Sequence, residues 1–378
     1  MDKDFPDHTR PRVLLLVPNL QLDGGVTNYY RALNLGEEQG VTYFETSQQA
    51  GVSAPLRTLQ LLVTYLRFFF AAPGSDLVHV NPTLDPRSMY RDMVFLALAR
   101  LCRKPYLVFF RGWDNQLEER IAKSKIQTFL FMQTYGKAAG FCVLGKIFKE
   151  KLRKLGVPAN CTFHILTTVA DDAGLKQLDL SAKQASLKHQ VNILFLARIT
   201  ESKGVFQSIE AVKALQKLIP QQVVLTVAGE GPELERSREI AQATNEVVIK
   251  FVGDVRGQEK YDLLNNHHIM LLPTSANEGL PNTLLEAMLY GMPIVSSAVA
   301  AIPEHVEDTI NGFLIDSGDL PQITDALKTL CADQALFDRI SNTNNAKAKQ
   351  VYTTQTVRQQ LLGVYEKTQL QHEKLSRA

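Results

Sequence analysis

Cysteine is scarce in this 378-residue chain, tryptophan occurs once, and no apolar run is long enough to span a bilayer. The four cysteines, Cys102, Cys142, Cys161 and Cys331, stand far apart with neither CxxC nor Cys/His spacing. A disulfide framework and a zinc ribbon are therefore excluded, and reduced, mostly buried thiols are expected. The most apolar stretch, "LQLLVTYLRFFFAA" from Leu59 to Ala72, is interrupted by Arg67 and falls short of the roughly 20 residues a spanning helix needs. A buried or surface-lying helix is expected there. The amino-terminal "MDKDFPDHTRPR" lacks an apolar block with a small-residue cleavage site, so it does not read as a secretory signal and the cytoplasm is the expected compartment. There is no GxGxxG fingerprint and no nucleophile elbow, which speaks against a nicotinamide enzyme and against Ser/His/Asp chemistry. His267 and His268 are adjacent, a spacing that does not aim both at one metal, and Asp171-Asp172 lacks the setting of a metal-diphosphate motif. No metal site, no bound cofactor and no nucleic-acid partner are expected.

What is present is a chain of 45% hydrophobic content, long enough that two cores are the default expectation. The formal charge of +2 hides an asymmetry. Residues 1–170 carry 21 basic against 14 acidic side chains, net +7, and the remainder is net −5. Nine of those cations lie between Arg120 and Lys154, facing one acid, Glu150. Within that segment "GKIFKEKLRKLG" places Phe148, Leu152 and Leu155 on one helical face and leaves the cations on the others. Such a helix suits an anionic membrane surface, and equally a core-packed helix with a solvated basic face.

Apolar runs of strand length alternate with helical patterns. "RVLLLV" is followed by a glycine-rich turn and "VTNYYRALNLGEEQG"; "DLVHV" and "PYLVFF" come later. After a polar stretch from Asp171 to Gln190 the pattern restarts with "VNILFLA", "QVVLTVAG", "EVVIKFVG", "HIMLLPT" and "MPIVSS". Continuous apolar strands separated by helices mean parallel sheets covered on both faces. The expected fold is α/β, two doubly wound Rossmann-like domains facing a central cleft. The expected boundaries are an amino-terminal domain over 1–170, a linker over 171–190, a second domain over 191–350, and a carboxy-terminal helix over 351–378 packing back on the first domain.

In such sheets ligands bind beyond the carboxyl ends of the strands. "LFLARITESKG" delivers Arg198 and then Lys203 just before a helix starting near Val205. Two cations converging on a helix N-terminus suit a diphosphate, although a surface Arg and Lys in a turn look similar. "TVAGEGPELER" brackets Glu230 with Gly229 and Gly231, glycines that let a flat or anionic group approach the backbone. "FVGDVRGQEKYDLL" offers a loop through Val255 whose backbone suits the edge of a base, and a plain βα turn explains it nearly as well.

The fourth strand end carries two glutamates. A loop holds Asn277, Glu278 and Gly279, and a helix begins about Pro281 or Asn282 and runs to Gly291, with Glu286 on its first turns. The amides of Gly279, Leu280, Pro281-Asn282 offer uncharged donors to an anion, proline excepted. Carboxylates are good acceptors for paired sugar hydroxyls. One for a ribose, the other for a hexose, with cations and amides between them, describes a nucleotide sugar.

These motifs, "ARITESKG", "AGEGPELE", "FVGDV" and "NEGLPNTLLEAMLYGMPIVSSAVAAIPEHVEDTINGFLI", resemble the signatures of the family 4 retaining glycosyltransferases of the GT-B fold, in their Glu-x7-Glu version, over roughly residues 190–320. The resemblance implies that Glu286 binds the ribose and Glu278 the transferred sugar. It implies also that Arg198 and Lys203 hold the diphosphate and that the Gly279 loop meets sugar and phosphate oxygens. In the first half, "VPNLQLDGGVTNYYRAL" looks like the glycine-rich first loop of that fold, where Gly24 and Gly25 let the backbone approach the donor. Where many members carry a histidine, this chain has "VFFRGWDNQ". Arg111 there is open to a phosphate or acidic acceptor, or to a structural ion pair with Asp114 or Asp92. Trp113 is open to stacking on an acceptor sugar or to packing under its loop.

The function implied is transfer of a sugar, with retention, from a nucleoside-diphosphate sugar to an acceptor hydroxyl in cell-surface polysaccharide or glycolipid synthesis. A UDP-sugar is expected over a GDP-sugar, with a carbohydrate or lipid-linked acceptor. The enzyme would be cytoplasmic or peripheral on the inner face of a membrane. The alternatives are a GT-B epimerase or phosphorylase-like enzyme, and a non-catalytic sugar-nucleotide-binding subunit.

Overall fold

A computed structural model describes residues 10–22, 24–46, 53–243, 247–276 and 279–377. The chain divides into two compact units, one of residues 1–167 with 357–378 and the other of residues 168–356.

The first unit runs β1 (Val13–Val17), α1 (Gly25–Leu33), β2 (Val41–Glu45), α2 (Ala54–Ala71), β3 (Leu77–Val80), β4 (Thr83–Leu84) and α3 (Pro86–Leu101). It continues with β5 (Tyr106–Phe109), β6 (Gly112–Trp113), α4 (Asn115–Lys123), α5 (Lys125–Thr134), β7 (Gly140–Val143), α6 (Lys146–Lys154) and β8 (Phe163–Ile165). Six strands form a parallel sheet in the order β2-β1-β3-β5-β7-β8, and β4 pairs with β6 beside it. All residues of β1, β3, β5 and β7 are buried, the signature of strands covered on both faces. The helical pattern after β1 stops early: Asn34 takes a left-handed φ of 44° and ends α1, and the chain re-enters the sheet as β2. Helices α3 and α4 are started by Asp85 and Asp114, whose carboxylates accept from the backbone amides of the first turn.

The second unit contains α7 (Leu180–Ser186), β9 (Gln190–Leu196), α8 (Val205–Gln216), β10 (Gln222–Ala228), α9 (Leu234–Gln242), β11 (Val248–Gly253) and α10 (Gly257–Asn266). Then come β12 (Ile269–Leu272), α11 (Asn282–Leu289), β13 (Ile294–Ser297), α12 (Ile302–His305), β14 (Gly312–Ile315), α13 (Leu320–Ala332) and α14 (Gln334–Val351). Its six parallel strands lie in the order β11-β10-β9-β12-β13-β14. The order reverses between β9 and β12, and ligands of open α/β sheets bind at such a point. Residues 171–190 belong to this unit, and Lys183 of α7 is buried, its ammonium donating to the carbonyls of Leu264 and Tyr290 at 2.8 Å each.

The last helix, α15 (Thr354–Arg377), belongs to the first unit from Val357 onward. There Tyr365 Oη meets His79 Nδ1 at 2.7 Å and Arg358 pairs with Glu38 at 3.5 Å.

Candidate functional site

In the second unit the loop after β9 is stitched to the loop after β10. Ile199 N donates to Glu230 O at 2.9 Å and Glu233 N to Ile199 O at 3.2 Å. This close approach explains both glycines in "AGEG". A Cβ at Gly229, which has φ +137°, would stand 2.0 Å from Ala197 O, and one at Gly231 would stand 2.1 Å from Ile199 O. The chain's own backbone requires them, so ligand approach is not needed to account for either.

Arg198 lies at the end of this strand, exposed, with no carboxylate partner among the described residues. Lys203 closes a single 3-10 turn, Glu201–Lys203, immediately before α8. The same loop is fastened to the next strand end: Ser275 N and Thr274 Oγ1 both donate to Ser202 O, at 2.7 and 3.1 Å. The ends of β10, β9 and β12 thus form one connected rim.

Helix α11 starts at Asn282, whose Oδ1 accepts from Thr168 Oγ1, and stops before Gly291 at φ +69°. Gly279 and Leu280 are buried and Pro281 and Asn282 half-buried. Asn277 and Glu278 lie outside the described residues. Glu286 sits on the second turn of α11, only 6% exposed. Lys260 of α10 reaches its Oε1 at 2.9 Å and Asp171 Oδ2 at 2.9 Å, and Tyr261 Oη donates to the same Asp171 oxygen at 2.9 Å. Burial works against the charge on Lys260, but the Glu286 and Asp171 carboxylates outweigh it and hold the ammonium above its ordinary pKa. Burial likewise disfavours ionised Asp171; Lys260 and the hydrogen bonds from Lys260 and Tyr261 reverse that and lower its pKa. Glu286 Oε2 has no protein donor among the described residues. Val255, half-buried, lies in the loop from β11 to α10, beyond Gly253, whose carbonyl accepts from Gly229 N at 2.7 Å.

In the first unit a cavity of about 270 Å3 opens between the ends of β1 and β3, where that sheet's strand order reverses. Gly24, Gly25, Asn81, Ser88, Arg91 and Asp92 contribute to its lining. A Cβ on Gly25 would meet nothing within 4 Å, so the backbone there faces open space. Buried Asp92 takes both guanidinium arms of Arg91, at 2.7 and 3.1 Å, and Asp114 caps α4. Neither pairs with Arg111, so the structural ion pair considered for Arg111 is not formed. Its guanidinium instead lies over the rings of Tyr29 and Phe109, 3.9 and 4.4 Å from their centroids, and its buried Nη1 has no hydrogen-bond partner among the described residues. Trp113 is 2% exposed, donates from Nε1 to Glu118 Oε2 at 2.6 Å and packs against Phe110 and Phe148. It is packed under its loop and offers no free face to a sugar.

The sequence reading missed Lys260, which carries no motif and reaches Glu286 only once α10 is laid beside α11. It also missed the bidentate pair of Arg91 and Asp92. His267 and His268 are buried and engaged, His267 with Thr226 Oγ1 at 2.7 Å and His268 with Ser186 Oγ at 2.8 Å. No group of three or more His, Cys, Asp or Glu that could hold a metal occurs among the described residues.

Residues 174–348 match the family described as Glycosyl transferases group 1. The match takes in most of the second unit, residues 168–356. The amylovoran biosynthesis glycosyltransferase AmsK of Erwinia amylovora is 30% identical over 59% of this chain and 55% of its own. The putative colanic acid biosynthesis glycosyltransferase WcaL of Salmonella typhimurium is 30% identical over 45% and 44%. The chain thus spans about half the length of these curated relatives. Among solved structures, HepE of Anabaena in complex with UDP superposes with a TM-score of 0.71 at 16% identity, covering 94% of this chain and 100% of that one. At that identity the likeness is one of fold, and the fold is GT-B. The strand-end rim of β9, β10 and β12 and the clamped Glu286 all lie within the part that matches the group 1 transferases.

Proposed function

We propose that the chain is a retaining glycosyltransferase of family 4 type, with the Glu-x7-Glu pair Glu278 and Glu286. It would move a hexosyl group from a nucleoside-diphosphate sugar to an acceptor hydroxyl in cell-surface polysaccharide or glycolipid synthesis. The observation that carries this reading is the Glu286 carboxylate. It is buried at the start of α11, oriented by Lys260, and left with one oxygen available for a ribose hydroxyl. The names of AmsK and WcaL, which speak of amylovoran and colanic acid biosynthesis, support the polysaccharide setting. The UDP in HepE supports a UDP-sugar over a GDP-sugar.

Breaking the anomeric C–O bond builds negative charge on the diphosphate and oxocarbenium character on the sugar. Arg198, Lys203 and the amides before α11 stabilise the leaving diphosphate, the largest contribution expected in such a site. Glu278 orients the hexose. The first-unit cavity, with Asn81, Ser88 and Asp92 in its lining, suits a carbohydrate or lipid-linked acceptor offering hydroxyls.

Calorimetric titration tests the two glutamates. Glu286→Ala should weaken binding of UDP itself, because the ribose belongs to the bare nucleotide. Glu278→Ala should leave UDP binding nearly unchanged and lower turnover of the nucleotide sugar. The opposite pattern would reverse the roles. Conversion of donor without any acceptor would favour an epimerase instead.

A further inference from the structure

Helix α2 has 18 residues, about 27 Å at the α-helical rise, yet among its described residues only Phe68 is buried. Leu56, Leu59, Leu62, Val63, Leu66 and Phe70 are all 45% or more exposed, and their spacing keeps them on one stripe. The first turns, residues 54–59, are exposed on every side. A long apolar face left open to water requires an explanation.

The stripe does not stand alone. Helix α3 lies beside α2, with Tyr65 Oη donating to Arg91 O at 3.1 Å and the Tyr65 and Phe95 rings 4.8 Å apart. Helix α5 lies on the other side of α3, with Arg100 donating to Gln133 O at 2.5 Å and Gln127 to Tyr90 Oη at 3.2 Å. On α3, Tyr90, Val94 and Leu101 are exposed at i, i+4 and i+11; on α5, Ile126, Phe129 and Leu130 are exposed at i, i+3 and i+4. The three helices present twelve of the twenty exposed large hydrophobic side chains among the described residues.

Their charges are of one sign. Helices α2 and α5 contain no acid, and the one acid of α3, Asp92, is buried against Arg91. Exposed Arg67, Arg87, Arg100 and Lys125 border the apolar stripes. An isologous dimer through this face would set cations against cations. Apolar side chains bordered by arginine and lysine match the interface of a bilayer with anionic headgroups. No helix of the described residues is long and apolar enough to cross a membrane, so this face would lie on the surface.

We propose that the α2/α3/α5 face of the first unit docks on an anionic lipid bilayer, with the apolar stripe of α2 entering the interfacial layer. The basic helix α6 does not form this surface. Its Phe148, Leu152 and following Leu155 are buried, and Lys151 is engaged by Glu118 at 3.0 Å and by Asn115. The inference is independent of the transferase reading, because lipid binding needs no nucleotide.

The test is co-sedimentation of the full chain with vesicles of phosphatidylcholine alone or of equimolar phosphatidylcholine and phosphatidylglycerol. Wild type should partition into the anionic vesicles and be partly released by salt. Leu59→Gln/Leu66→Gln/Phe70→Gln should lower that partition at least tenfold, whereas Lys149→Gln/Lys154→Gln should retain most of it. A second readout needs no loss of function: in Phe70→Trp, whose added indole is exposed while Trp113 is buried, anionic vesicles should shift the emission to the blue. The proposal is overturned by equal recovery with neutral vesicles, by an unchanged partition of the α2 variant, by unshifted emission, or by a wild-type dimer that the α2 variant dissolves without any vesicle binding.

Discussion

Replacing Lys260 by methionine probes the clamp on Glu286. The substitution keeps most of the side-chain volume and removes one ammonium that lies 2.9 Å from both the Glu286 and the Asp171 carboxylates. Breaking a fully buried ion pair costs about 3–5 kcal/mol, because the remaining charges are left uncompensated. Here the side chains of Lys260, Asp171 and Glu286 retain 17, 30 and 8% exposure, so solvent screens part of the loss and about 2 kcal/mol is the expected destabilisation. The pH dependence fixes the cause. Asp171 has a lowered pKa in the fold, so its contribution is present above the ordinary aspartate value near 4 and disappears as pH falls through the folded value. Urea unfolding followed by circular dichroism should therefore separate wild type from Lys260→Met at pH 7, with the gap narrowing in acid. Lys260→Met/Asp171→Asn should recover part of the loss. UDP affinity should fall roughly tenfold in Lys260→Met, about 1.4 kcal/mol, as Glu286 loses its orientation. Equal urea midpoints at pH 7, or a gap that persists unchanged in acid, would refute the clamp.

Arg198→Ala and Lys203→Ala should each remove on the order of 2–4 kcal/mol of transition-state stabilisation, seen as a lower kcat with an unaltered circular dichroism spectrum; wild-type turnover in either would dismiss the assignment. Burial lowers the pKa of His267 and of His268 to about 4, so both are neutral in the fold. Their contribution is complete above the unfolded histidine value near 6.5 and is lost as pH falls toward 4. Stability measured by urea titration should drop through that window, and His268→Gln should flatten the slope; an unchanged slope would argue against buried neutral histidines.

How much of this was legible in the sequence depended on the range over which each signal acts. Continuously apolar strands such as "VNILFLA" and "HIMLLPT" announced β9 and β12 because burial on both faces leaves a local mark. Short or alternating segments left none: "VTYFE" and "FHI" became the edge strands β2 and β8, and "GFCV" the four-residue β7. The glycines of "AGEG" were visible, but their cause was not, since the carbonyls they clear come from the loop after β9, some thirty residues earlier. Trp113 and Arg111 could be placed only as alternatives, because burial and ring stacking are properties of the folded first unit. The ion pairs of Lys260 with Glu286 and with Asp171 were invisible for the same reason: they join segments far apart in the chain. The open face of α2 was foreshadowed by "LQLLVTYLRFFFAA", whereas its union with α3 and α5 required the fold.

Acceptor-dependent release of nucleoside diphosphate from UDP-, GDP- and ADP-sugars by the purified chain, with Glu278→Ala as the control, tests the central claim most directly. A donor-specific release, greatest with a UDP-sugar and falling at least a hundredfold in Glu278→Ala, is the predicted result. Release from none of the three donors in the presence of carbohydrate acceptors, or release that Glu278→Ala leaves intact, would contradict the claim that this chain cleaves a nucleotide sugar.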